Sequence, residues 1–374
     1  MKVPLVDLAA QHAAIRDEVM AAAERVIERQ AFVLGEPVAQ FERTLAELVG
    51  ARHAVGVASG TDALVLALRA VGLGVEVGDA VITTALTFVA SVEAIVAAGG
   101  RPVFADVDET LTLDVASVEA AVERARRDGL RVRAILPVHL FGRAANMEAL
   151  VALARRESLA IVEDAAQAIG ARCALGAVGS IGDVGCFSFF PSKNLGAWGD
   201  GGAVTTNDAR VADRVRSLRE HGKVAGEETF AEPGMNSRLD ALQAAVLDVK
   251  ARHLEAWSRA RRNAAGRYRE LLGGITGLEL PAEAGAAHVH HVFAVRTAKR
   301  DALAEHLAAR GVATRAYYAS PVHRQPAYAR FHDERAPLAR TDAASREILA
   351  LPMFAEITAE QQAYVAEGVR AFFA

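Results

Sequence analysis

Between residues 53 and 206, short apolar runs alternate with helical patterns, and this rhythm restricts the fold more than any other feature of the chain. Runs at residues 53–57, 80–83, 102–105, 132–138, 160–163, 185–190 and 203–206 read as strands. Helical stretches fall between them at 63–70 and from Phe88 to Ala98, and another at 209–220 closes this part. Strands joined through helices lie largely parallel, with helices covering both faces of the sheet. The expected fold class is therefore α/β, a three-layer α/β/α arrangement around a mostly parallel sheet. An N-terminal helix precedes it, with Ile15, Val19, Ala22 and Val26 at helical spacing.

The pattern changes near Arg238. A long helical stretch over 238–262, with Leu239, Leu242, Ala245, Val246 and Val249 on one side, is expected to connect two domains. Beyond it, strands at 290–295, 312–318 and 348–351 alternate with helices at 300–310 and 359–373. The expectation is a large domain over residues 1–247, including an N-terminal arm, and a smaller α/β domain over 248–374. Residues 222–235, with Glu227, Glu228 and Pro233, form the expected mobile loop.

Composition narrows the partners. Of 374 residues, 42 are basic and 46 acidic, so no positive excess draws the chain to nucleic acid or anionic lipid. No apolar run approaches the roughly 18 residues of a membrane helix, and Asp7 and Arg16 interrupt any signal-peptide core. Cys173 and Cys186 match no common zinc spacing and make no disulfide framework, which points to a reducing, cytoplasmic setting. His288, His290 and His291 crowd one run without a third ligand type beside them, so no metal site is assigned. The glycines at 176, 179, 182 and 185 match neither G-x-G-x-x-G nor a P-loop.

Ligands of open α/β sheets sit beyond the carboxyl ends of the strands. Asp164 closes one apolar run, and Lys193 follows another, just ahead of Gly199-Asp200-Gly201-Gly202. A lysine and an acid on neighbouring strand ends suit pyridoxal phosphate. The amine forms a Schiff base with the aldehyde, and the carboxylate keeps the pyridinium nitrogen protonated. Gly60 and Thr61 open a helix whose free N–H groups suit a phosphate, although the same residues serve an ordinary N-cap. Ser188 offers a further hydroxyl. Phe88 is either core or a ring for stacking on the pyridine, Asp164 is either a helix cap or a partner for that ring, and Gln167, three residues on, is placed to face the same pocket.

These residues occur in a longer ordered set. It comprises Ser59-Gly60-Thr61-Asp62-Ala63-Leu64, Thr87-Phe88, Glu163-Asp164-Ala165-Ala166-Gln167, Phe187-Ser188-Phe189 with Lys193-Asn194, and His221-Gly222. Asn236-Ser237-Arg238-Leu239-Asp240, Tyr318 with Pro321 and His323, and Leu351-Pro352 complete it. From about Pro4 to the C-terminus the chain resembles the DegT and StrS type of sugar-nucleotide aminotransferases, within the aspartate-aminotransferase fold.

The resemblance implies pyridoxal 5′-phosphate as cofactor, alternating with pyridoxamine phosphate. Lys193 would hold it and shuttle the proton, Asp164 would pair with the pyridine nitrogen, and Gln167 would bind the ring hydroxyl. Phe88 would stack on the ring, and Gly60, Thr61 and Ser188 would bind the phosphate. Asn236 would reach that phosphate from the neighbouring subunit, so a homodimer with shared active sites is implied. Arg238, Tyr318 and His323 would lie near the substrate entrance. L-glutamate and a nucleotide-linked keto sugar are the implied substrates. Lys193-Asn194-Leu195-Gly196-Ala197 with Gly199-Asp200-Gly201-Gly202-Ala203 resembles members that aminate a 3-keto rather than a 4-keto sugar. A keto-cyclitol aminotransferase and a non-catalytic cofactor-binding regulator are the competing readings.

Overall fold

The computed structural model describes residues 1–74 and 78–374. Two helices lead the chain, α1 (Leu8–Arg29) and α2 (Glu36–Val49). Strand β1 (His53–Val57) and helix α3 (Gly60–Ala70) follow, then β2 (Asp79–Thr84), α4 (Ala90–Ala97), β3 (Arg101–Ala105) and α5 (Val115–Arg127). Next come β4 (Arg131–Leu136), α6 (Met147–Glu157) and β5 (Ala160–Asp164). A small hairpin, β6 (Arg172–Cys173) with β7 (Gly176–Ala177), precedes β8 (Val184–Ser188), β9 (Gly202–Thr206) and α7 (Ala209–Leu218).

The main sheet has seven strands in the order β1-β9-β8-β5-β4-β2-β3. Strand β9 runs antiparallel to both of its neighbours, and the pairs β8–β5, β5–β4, β4–β2 and β2–β3 are parallel. Two reversals around β9 leave β1 pointing the same way as β8. The carboxyl ends of β1, β2, β4, β5 and β8 therefore share one edge, where Ser59, Thr87, Val138, Asp164 and Ser188 emerge.

Side-chain alternation explains the three layers. Ala134, Leu136, Val184, Cys186 and Val204 pack with α3 and α7 on one face. Ile135 and Ile161 pack with α5 and α6 on the other, where Phe187 and Ala203 also meet α2. Gly179 and Gly185 pack backbone to backbone, since a Cβ on Gly185 would collide with the Gly179 carbonyl oxygen. That contact accounts for part of the glycine spacing seen in the sequence.

The expected long helix over 238–262 is two helices, α8 (Ala241–Ala251) and α9 (Leu254–Leu272), divided at Arg252–His253. Arg252 and His253 donate their N–H groups to Val249 and Lys250 three residues back, a tightening that ends α8. Helix α8 packs on α1 and α2, and Leu254 still joins the main core. From Ala264 onward α9 packs with α10 (Arg300–Ala309), α12 (Ala359–Phe373) and the antiparallel pair β10 (Phe293–Arg296) and β11 (Ile348–Leu351). Helix α11 (Ala339–Glu347) runs straight into β11.

The expected strand over 312–318 is not formed. Val312 and Arg315 make isolated bridges to two different partners, Val3 and Ala350. Val3 is held on both sides, donating to Gly311 O at 3.0 Å and accepting from Ala313 N at 2.9 Å, and its side chain is buried in the core around α9 and β10. The 222–235 loop is pinned through Glu232, which receives Arg214 at 2.9 and 3.0 Å, while Phe230 at its tip is exposed. Among the described residues no helix is long and apolar enough to cross a membrane.

Candidate active site

A cavity of about 1080 Å³ opens at the shared strand edge. Gly60, Thr61, Phe88, Asp164, Gln167, Ser188, Lys193 and Tyr318 all line it. The volume suits a cofactor together with part of a substrate.

Helix α3 supplies one wall. Ser59 caps it, its Oγ accepting from Asp62 N at 3.0 Å, while Ser59 O accepts from Ala63 N. The N–H groups of Gly60 and Thr61 are left without a protein partner among the described residues, at the positive end of the helix. Glycine is needed at position 60 because a Cβ there would lie 2.5 Å from Ser188 Cβ. This close approach brings the Ser188 hydroxyl to the same helix end, a cradle suited to phosphate.

Asp164 ends β5 and is buried. Its Oδ2 accepts from Ser91 Oγ at 2.7 Å, its Oδ1 from Ala166 N at 3.1 Å, and Ser91 Oγ lies 2.7 Å from Thr87 Oγ1. Thr87 enters the sequence reading only through the Thr87-Phe88 motif, and Ser91 not at all, since a small polar residue in an alanine-rich stretch carries no signal. Next to Asp164, the fully buried Glu163 orders the turn that leads into β8. It accepts from Gly179, Ile181 and Gly182 N–H groups at 2.7–2.8 Å and from His139 Nε2 at 3.0 Å. Burial raises the Glu163 pKa, but His139 and these N–H groups outweigh it, so the carboxyl lies below its ordinary value. Because His139 Nδ1 accepts from Ala145 N, the imidazole proton sits on Nε2 and points at Glu163.

Lys193 lies in a compact loop after β8. Its N–H bonds Phe190 O at 2.8 Å, and Ala197 N returns to Phe189 O at 2.8 Å. Gly196 closes the loop against the Pro191 carbonyl, where a Cβ would collide. The buried Lys250 of α8 then donates to Gly196 O at 2.6 Å. Among the described residues no side chain hydrogen-bonds Lys193 Nζ. Burial lowers its pKa, partly offset by Asp164, to about 8. A reactive amine is thus obtained near neutrality. In the cofactor-free protein, covalent capture of an aldehyde at Lys193 is expected to rise through about pH 8 and level off above it. Rapid-mixing absorbance checks this, and a midpoint near that of a free lysine would contradict it.

Gln167 Oε1 accepts from Phe141 N at 2.7 Å, and its amide donates to Tyr318 Oη at 3.1 Å. Burial raises the Tyr318 hydroxyl pKa, keeping it protonated. Phe88 borders the cavity with its ring 6.2 Å from that of Tyr318. His291, read in the sequence only as part of a histidine cluster, also lines the cavity, and its Nδ1 lies 3.1 Å from Asn194 Oδ1. Asn194 Nδ2 donates to Val289 O, so its oxygen faces His291 and the imidazole proton belongs on Nδ1. His288 and His290 stack at 3.8 Å, well packed and away from the cavity lining. Among the described residues no group of three His, Cys, Asp or Glu side chains forms a metal site.

Three expected site residues are not on the cavity wall of this chain. His323 is buried behind it, 3.2 Å from Asp342 and near the rings of Phe104 and His332. Arg238 is half-buried, and Asn236 is exposed. Ser237 between them is fixed, donating to Asp62 Oδ2 at 2.7 Å and accepting from Ala58 N at 3.1 Å, which ties this segment to the start of α3.

The donor set fits pyridoxal phosphate: an amine of lowered pKa, a buried carboxylate, and unpaired helix N–H groups beside a serine. Comparison with known proteins agrees. Residues 13–370 match the family described as the DegT/DnrJ/EryC1/StrS aminotransferase family. A UDP-N-acetyl-3-dehydro-alpha-D-glucosamine 3-aminotransferase of Acidithiobacillus ferrooxidans is 44% identical over 98% of this chain and 97% of its own length. A Geobacillus stearothermophilus protein named pleiotropic regulatory protein is 42% identical over 100% and 99%. The crystal structure of DesV from S. venezuelae in complex with a ketimine intermediate superposes with a TM-score of 0.94 at 43% identity, covering 99% of this chain and 98% of that one. The chain belongs to the DegT/DnrJ/EryC1/StrS aminotransferase family and is a pyridoxal-phosphate-dependent aminotransferase.

Proposed function

We propose that this chain, as a homodimer, transfers the amino group of L-glutamate to the carbonyl of a nucleotide-linked 3-keto sugar. The observation that carries the reading is the placement of Lys193, Asp164 and the unpaired α3 N–H groups around one cavity. The 3-keto preference draws support from the Acidithiobacillus relative and from the dTDP-3-amino-3,4,6-trideoxy-alpha-D-glucose transaminase of Streptomyces venezuelae, 43% identical over 99% of this chain.

Each residue then has a task. Gly60, Thr61 and Ser188 hold the phosphate, Asp164 holds a proton on the ring nitrogen, and Gln167 orients the ring oxygen. Phe88 covers the ring face. Bound pyridoxal phosphate supplies the electron sink that makes a carbon acid of the substrate. Lys193 Nζ, free between covalent states, takes the proton from Cα of the donor and returns one to the sugar carbon that gains the amine. Tyr318 lies toward the substrate side, whereas Arg238, off the wall of its own chain, has no such place in that chain's site. His323, behind the wall, acts only by supporting it.

A shared site is supported by the surface. Phe88 and Phe190 line the cavity yet are 54% and 53% exposed, an apolar rim that a second chain would cover. Asn236, exposed and firmly mounted through Ser237, is then free to serve the partner's phosphate. Cys173 and Cys186 are free thiols, which suits the cytoplasm. The regulatory name of the Geobacillus relative says nothing against chemistry in a chain with Lys193, Asp164 and Gln167 intact.

The test is a substrate panel. Cofactor-loaded protein with L-glutamate should form 2-oxoglutarate with UDP- or dTDP-linked 3-keto sugars. Faster turnover with 4-keto sugars or a keto-inositol would overturn the substrate assignment.

A further inference from the structure

Both proposed substrates are anions, and the cavity offers them little positive charge. Among the described side chains lining it, only Lys193 and Arg315 are cationic. Lys193 must work as an amine, whereas a guanidinium stays charged at every working pH. Arg315 belongs to the segment where a strand was expected, and its backbone is fixed to Ala350 by bonds of 2.8 and 3.3 Å. Its guanidinium lies over the Tyr317 ring, 5.4 Å from the centroid. The Tyr317 ring in turn packs against the main core, so the platform is firm.

Other arginines that follow it in the chain are paired. Arg324 pairs with Asp342, Arg335 with Asp128, and Arg340 with Asp114. Among the described residues no carboxylate pairs with Arg315. The two acids that border the cavity do not neutralise it: Asp164 is engaged by Ser91 and Ala166, and Asp200 makes no ion pair with it. The phosphate cradle at α3 lies on different elements.

We propose that Arg315, held on the Tyr317 ring, is a substrate-anchoring residue that binds the anionic group of a molecule entering the cavity, either a carboxylate of the amino donor or a phosphate of the sugar nucleotide. A planar fork over an aromatic ring presents two parallel N–H donors, the geometry that matches both groups. The inference rests on the aminotransferase reading, because that reading makes both substrates anionic and sends them to one site.

Calorimetric titration of the cofactor-loaded protein with glutarate, UDP and dTDP reads this site without turnover. Arg315→Ala should weaken at least one of them by roughly ten-fold or more, with the cofactor absorbance and Tm unchanged. Arg315→Gln, which keeps the stem over the ring, should do the same if the alanine variant is unstable. Loss confined to glutarate assigns the donor carboxylate, and loss confined to the nucleotides assigns the phosphate. Affinities all within about two-fold of wild type overturn the proposal, as does a wild type that binds none of the three. Wild-type protein that binds these anions through Arg315 but transfers no amino group would instead remove the substrate reading and leave the anion site standing.

Discussion

Lys193→Ala should lower turnover by about four orders of magnitude or more and abolish covalent attachment of the cofactor. On the proposed mechanism position 193 supplies both the nucleophile and the proton carrier, and among the described residues no other amine lines the cavity. Lys193→Arg should be equally inactive, since a guanidinium cannot give up its proton. Borohydride reduction followed by peptide mass analysis locates the attachment, and single-turnover absorbance measures the rate. Activity within about ten-fold of wild type in Lys193→Ala would exclude this lysine as the catalytic residue. Folding should not suffer. Burial has pushed the amine down to about 8, so its charged form disfavours the folded state at neutral pH, and removing it relieves that cost. Mixing Lys193→Ala chains with Asn236→Ala chains extends the test. In a heterodimer one site would combine Lys193 of one chain with Asn236 of the other, and some turnover should return. Verified heterodimers with none would argue against a site built from two subunits.

Asp164→Asn should reduce turnover by about 10²–10³-fold, equivalent to roughly 3–4 kcal/mol of barrier. The amide is nearly the same size, and Ser91 Oγ can rotate to accept from it, so packing around β5 is retained. What disappears is the negative charge proposed to hold a proton on the ring nitrogen. The loss should therefore fall on kcat with the cofactor still bound, and Ser91→Ala should follow with a smaller decrease. A variant that keeps kcat within about three-fold would show that the carboxylate is not an electrostatic partner of the ring.

The sheet was legible because strand period and crossover helices leave a strong imprint on residue order. Its edge then located Asp164, Ser188 and Lys193 from the ends of apolar runs alone. Two parts were not legible. The division between α8 and α9 has no glycine or proline to mark it, and the apolar face continues across Arg252 and His253. Residues 312–318 carry the β-favouring Val312, Thr314, Tyr317 and Tyr318, yet Val312 and Arg315 find different partners, which only tertiary packing decides. The same limit hid functional side chains. Ser91 matters because Asp164 lies above it, and Arg315 stands out because no carboxylate meets it. His323 shows the converse: motif order alone suggested the entrance, but Asp342 and Phe104 hold it behind the wall.

The anchoring of Val3 bears on the order of assembly. Its partners, Gly311, Ala313 and the core around β10 and α9, all belong to the last third of the chain. Closing so large a loop loses chain entropy before any contact is gained. The main sheet can form from contiguous β-α units while the polypeptide is still growing. The smaller unit has to wait, because its core is filled from both directions of the sequence. The last third of the molecule is thus completed by the residues synthesised first.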